Sequence, residues 1–224
     1  MKITNSVLIR NVVILFFVTV LLCTSCLTTS STQEVNPNFI GDFDPIQLSN
    51  GIWLRESMGS LKPVEVRLFF VPRTNIIEAY LRDGMTTYVL LFEGHERMQV
   101  AEGIDLYAVA YAAHTEGDKT ALPIREPNRK NYFNTGTMSV SWGLINSVRN
   151  NTTIFQTNYK YFDGDKPYFE ILVETTKDKD EPSVVSAPLR LYFSPANLEA
   201  LLEDFDQDYL EGLVRELEGD VFAF

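Results

Sequence analysis

The sequence predicts an α+β fold, an antiparallel β-sheet or sandwich with one inserted helix and a C-terminal amphipathic helix. Three observations predict it. Val64, Val66, Leu68 and Phe70 alternate with Glu65 and Arg67, and Phe169, Ile171 and Val173 alternate with Tyr168, Glu170, Leu172 and Glu174, the period of half-buried strands. Asp163-Gly164 separates two such runs and supplies the positive-φ residue of a tight reversal. Leu198, Leu201, Leu202, Phe205, Tyr209, Leu213 and Leu217 then recur at helical spacing.

The chain opens with Lys2 and Arg10, an apolar stretch from Val12 to Leu22, and the small residues Thr24 and Ser25 before Cys26. This is the form of a secretory leader, 1–25. Its apolar stretch is about eleven residues, roughly 17 Å of helix against a hydrocarbon core of about 30 Å, too short to remain as a span. Leu22-Cys23-Thr24-Ser25-Cys26 resembles a lipobox, in which the cysteine is acylated and becomes the mature amino terminus. Cys26 fits that place better than Cys23, which would put Leu21 and Leu22 where small side chains belong. The usual leucine three residues upstream is replaced by Cys23, a relaxed form similar to that of spirochaetes. Leu27 follows where an acidic residue would resemble an inner-membrane retention signal, so the anchor is expected in an outer membrane. Two or three acyl chains, at about 0.8 kcal/mol per buried methylene, hold a protein on a bilayer.

Residues 26–50 are rich in Thr, Ser, Asn, Gln and Pro and read as a flexible tether. The remainder, 51–224, reads as one globular domain of adequate size to bury a core. Within it, Ile76–Arg82 and Thr86–Glu93 are expected to pair through a turn at Asp83-Gly84. The spacing of Val100, Ile104, Tyr107, Ala108, Tyr111 and Ala112 predicts a helix between His95 and Ala113 despite Gly103. Met138–Ile145, Ile154–Phe162, Tyr168–Thr176 and Val184–Phe193 are expected to form a four-stranded meander. Ser194 and Pro195 then suit the cap and first turn of a terminal helix that Gly219 would end.

The whole chain carries a net charge of −11 and the leader, through Lys2 and Arg10, +2, which leaves −13 on the mature part. Such an acidic domain is not expected to bind nucleic acid or anionic head groups. Both cysteines lie at the leader junction, so the domain has no disulfide to form.

A search for chemistry yields little. Asp204, Asp206 and Asp208 imitate the start of a calcium loop, but Tyr209 and Arg215 stand where Gly and Glu are needed. A zinc site would need both histidines, His95 and His114, with a carboxylate such as Glu96 or Glu116, and surface histidines are the simpler reading. There is no Gly-x-Ser-x-Gly elbow, Ser-x-x-Lys pair or glycine-rich phosphate loop. Neither a metal, a cofactor nor catalytic residues are therefore expected.

Two features suit a binding surface. Tyr159 and Tyr161, with Phe155, share one strand face, and Trp142 and Tyr168 lie on strands expected beside it, a platform for a sugar or apolar ligand. Arg125, Arg129 and Lys130 form a local basic loop that could meet an anionic partner. Packing and solvation are the simpler explanations of each.

Tyr132, Gly136, Val140-Ser141-Trp142-Gly143, Tyr159-Lys160-Tyr161-Phe162, Lys166-Pro167-Tyr168-Phe169 and Leu191-Tyr192-Phe193, with the Leu-rich tail, resemble uncharacterised spirochaetal lipoproteins of unknown function. The resemblance implies an envelope location and transfers no site residue. The expected function is a lipid-anchored envelope domain that binds an envelope protein or small ligand without catalysis. An envelope hydrolase with a site assembled only in space, or a purely structural lipoprotein, are the alternatives.

Overall fold

Eight antiparallel strands follow one another around a closed barrel in the order of the chain, and the last pairs with the first. The computed structural model describes residues 38–124, 132–144, 147–162 and 166–221. The strands are β1 (Ile46–Ser57), β2 (Ser60–Val71), β3 (Ile76–Asp83), β4 (Thr86–Phe92), β5 (Asn134–Leu144), β6 (Ser147–Phe162), β7 (Lys166–Val173) and β8 (Leu189–Phe193). Helix α1 (Gly94–Thr115) is inserted between β4 and β5, while α2 (Pro195–Phe205) and α3 (Gln207–Val221) follow β8. The expectation of an α+β sheet or sandwich is thus corrected to a mostly β closed barrel.

The period-two patterns are real, but their apolar rows converge on one axis rather than facing a second sheet. Val66, Leu68, Phe70, Ile77, Ala79, Leu90, Phe155, Phe169, Ile171, Leu191 and Phe193 line that axis and are almost fully buried. Closure was hidden because it rests on only two paired positions, Leu54↔Tyr192 and Arg55↔Leu191. The strand that makes them, β1, shifts register between Gln47 and Asn50 and carries polar residues that spoil its alternation. It starts at Ile46, inside the stretch read as tether.

Side chains on the outer face reinforce this short seam. Tyr192 on β8 donates its hydroxyl to Glu170 Oε1 on β7 (2.9 Å) and reaches Glu56 Oε2 on β1 (3.1 Å). Lys160 Nζ meets the same Glu56 oxygen at 2.6 Å, and Arg190 holds Glu170 at 2.6 Å. Two acids and two bases therefore neutralise one another around one phenol. Burial of Glu56 opposes its charge, but the hydrogen bond and charge of Lys160 prevail and hold its carboxyl below the ordinary value. Burial among these carboxylates pushes the Tyr192 phenol far up, so it stays a donor.

In an up-and-down barrel the connections alternate between ends. The β1–β2, β3–β4 and β5–β6 turns and the 174–188 connection share one end, the rim, and the helices cover the other. Gly103 lets α1 press on the inner side of β6, since a Cβ there would stand 2.3 Å from Thr157 Oγ1. Tyr107 follows one turn later, donates to the Pro167 carbonyl at 2.9 Å, and packs on Phe133 and Phe169. Phe205 of α2 meets Phe92 at 4.9 Å between ring centres.

The terminal helix is two helices. Asp206 is extended rather than helical, ending α2, and its Oδ1 accepts the Tyr209 N–H at 2.8 Å as the cap of α3. Ser194 precedes α2 without a capping bond, and α3 runs past Gly219 to Val221. Among the described residues no helix is long and apolar enough to cross a membrane.

Candidate binding surface

Two-residue turns at the rim carry methionines in place of the usual polar residues. Ser57 pairs with Ser60 across Met58-Gly59, both with positive φ (52° and 75°), the backbone of a type I′ turn. That position favours Asn, Asp or Gly, because an L side chain in the left-handed region costs roughly 1–2 kcal/mol. Met58 adopts it with its side chain fully exposed (104%). Neither packing nor turn geometry accounts for methionine here, and strain of this kind collects at functional positions. Across β3 and β4, Asp83 pairs with Thr86, with Gly84 at positive φ and Met85 at the tip, 73% exposed. Leu144 and Val148 flank the β5–β6 turn and Val185 lies in the last connection, all exposed. Among the described residues, each of the four strand-to-strand junctions at this end therefore presents an apolar side chain to solvent, whereas scattered single ones are the norm.

Beneath the rim the interior ends in a firm floor. Trp53, Tyr88 and Trp142 point inward and are buried, Tyr88 pairing with Trp142 across β4 and β5. Arg55 and Asp83, on the same inward rows, meet at 2.7 Å over β2. Burial, and then the Asp83 charge, push the Tyr88 phenol up, so it remains neutral. The 174–188 connection folds against the start of β6: Arg149 pairs with Asp178 (3.0 Å) and Glu181 (3.2 Å), and Asn151 Nδ2 donates to the Lys177 carbonyl. Aromatic rings and ion pairs thus close the interior beneath the turn tips.

The structure divides the predicted platform. Tyr159 and Tyr161 lie together on β6, their rings 6.0 Å apart, but face inward near the helix end and donate to the carbonyls of Pro123 and Leu122. Trp142 belongs to the buried floor beneath the rim, and Tyr168 lies on the outer face of β7 against Phe162. Arg125, Arg129, Lys130 and the proposed lipid-bearing Cys26 lie outside the described residues. The histidines occupy opposite ends of α1. His114 is buried beside Tyr161, with Nε2 3.4 Å from its hydroxyl, while His95 is exposed at the first turn. The two are thus too far apart to share an ion, and His114 is not the surface histidine expected of it. Sequence reasoning missed Met58 and Met85; a methionine beside glycine between alternating runs was the available signal.

A family model described as "Uncharacterised Treponema protein" matches residues 28–212. An uncharacterized protein of Treponema pallidum (strain Nichols) is 25% identical over 197 residues, covering 86% of this chain and 66% of the relative. The chain thus spans just under two thirds of that relative's length. No solved structure matches.

Proposed function

We propose that this chain, which belongs to the uncharacterised Treponema protein family, is a lipid-tethered envelope domain that binds a partner protein, without catalysis, through the apolar rim of its barrel. The observation that carries the reading is Met58, a fully exposed methionine held at φ 52° where the turn itself would favour Asn or Gly. Methionine is adaptable and recurs at binding surfaces that must fit an apolar partner. The leader and Cys26 supply the anchor, in an outer membrane by the Leu27 argument. The family match starts at residue 28, so it covers the part of the chain that would remain after processing at Cys26. With −13 on the mature part, the complementary partner is a protein with an apolar contact set in basic surroundings.

The test compares wild type with Met58→Asn and Met85→Asn by native mass spectrometry of complexes extracted from the host envelope. The expected result is a complex of defined mass for wild type, reduced at least tenfold in the doubly substituted protein. Equal recovery of that complex from both proteins would overturn the reading.

A further inference from the structure

A helix on a protein surface ordinarily turns charged and polar residues to solvent, and α1 does not. Opposite its buried row of Val100, Ile104 and Tyr107, the face turned away from the barrel carries Met98, Leu106 and Val109, which are 66%, 48% and 72% exposed. Ala108 and Ala112 lie exposed beside them, and the charges on this face are Glu102 and Asp105. Glu102 is already engaged, since its Oε2 accepts the Asn134 side-chain N–H at 2.7 Å. Packing of α1 on the barrel uses none of these outward apolar side chains, and an exposed apolar face of this kind marks contact with something else.

The path of the chain points to what that is. Ile40 donates its N–H to the Pro72 carbonyl (3.0 Å) in the β2–β3 connection, and Asp42 pairs with Arg73 there at 2.6 Å. A Cβ on Gly41 would stand 2.8 Å from Val214 of α3. The chain therefore joins the domain at the helix end of the barrel, with Phe39 exposed where it does so. Asn38 is only twelve residues on from Cys26, about 40 Å fully extended and about 20 Å as a flexible chain.

We propose that the helix end of the barrel lies on the bilayer, with the outward face of α1 bedded at the boundary between head groups and acyl chains. The inference rests on the lipid anchor of the proposed function. Tethering holds this face at high local concentration beside the lipid, so a contact too weak to recruit a free protein suffices. Among the described residues no helix is long and apolar enough to cross a membrane, so α1 lies along the surface. Glu102, Asp105 and the net −13 of the mature part fit zwitterionic head groups rather than anionic ones. From this end β2 runs 12 residues to the rim, about 40 Å of strand, which carries Met58 and Met85 clear of the membrane.

The test places a nitroxide spin label on the acylated protein in phosphatidylcholine vesicles, at Val109→Cys, at Met98→Cys as a second position, and at Met58→Cys as the rim control. Cys23 leaves with the leader and Cys26 is blocked by its lipid, so no other thiol competes. Thermal unfolding confirms that each variant is folded. Accessibility to oxygen, which partitions into lipid, is compared with accessibility to a water-soluble nickel chelate. The expected ratio at 98 and 109 is several-fold higher than at 58. A water-like ratio at 98 and 109, in protein that floats with the vesicles, would overturn the membrane contact while leaving the anchor intact. Shielding of both positions from both reagents would assign the face to a second copy and overturn it likewise. Protein that lacks acyl mass and does not float would overturn the anchor, and the orientation with it.

Discussion

At the scale of single residues, two side chains expose the balance between stability and use. Met58 holds a left-handed backbone that Asn adopts at lower cost, so Met58→Asn should stabilise the domain by about 0.5–1 kcal/mol. For a domain of this size that raises the melting temperature by roughly 2–4 °C per kcal/mol, measurable by thermal unfolding. A gain in stability with a loss of partner binding is the signature of a residue kept for function. Glu56 is the opposite case. Its lowered carboxyl means that the seam stabilises the fold above the ordinary glutamate value of 4.5, and that this stabilisation is lost as pH falls through the lowered folded value. Glu56→Gln should therefore cost about 1 kcal/mol at neutral pH, allowing for partial solvent screening. Urea unfolding from pH 7 down to about 3 should show the gap between the two proteins narrowing with acidification. A constant gap would mean that Glu56 acts through packing rather than charge.

At the scale of elements, the strands that alternate cleanly were legible and those that do not were missed. β2, β3, β4 and the β5–β8 meander follow the apolar rows of the sequence, and the segments expected to neighbour one another do pair, while the expected Asp163-Gly164 reversal lies outside the described residues. β1 was missed in part because a register shift interrupts its alternation. The break between α2 and α3 was masked because the apolar stripe from Leu198 to Leu217 continues through it. Asp206, three residues before Tyr209, carried the cap that divides them. Gly103 shows why a glycine can sit inside α1: the helix needs close approach to Thr157 more than it needs local propensity. Gly103→Ala should consequently destabilise by about 1–3 kcal/mol through overpacking, although alanine favours an isolated helix by about 1 kcal/mol. Chemical denaturation checks this, and Thr157→Ala in the same chain should recover part of the loss because the two sites share one contact.

At the scale of the whole molecule, closure decides what the surface is. A sandwich would have left sheet edges and placed its turns at two separate ends of two sheets. The barrel gathers Met58, Met85, Leu144, Val148 and Val185 at one end and assigns the helices to the other. No local pattern announces this, since it depends on which turns share an end, and that follows from topology. For the same reason the predicted aromatic platform was only partly legible: strand parity put Tyr159 and Tyr161 on one face, but that face is the interior. The proposed anchor belongs to this scale too. Cys26→Ser should move the protein from the membrane fraction to the soluble fraction and abolish labelling by palmitate, while leaving the melting temperature of the domain unchanged. Retention with label would contradict acylation at Cys26. The measurement that tests rim docking most directly is photo-crosslinking in the intact envelope from a benzophenone side chain placed at Met58, with one at the exposed Glu199 of α2 as the control. The account predicts one discrete protein adduct from position 58 and none of that mass from position 199, whereas no adduct at 58, or the same adduct from both, would contradict it.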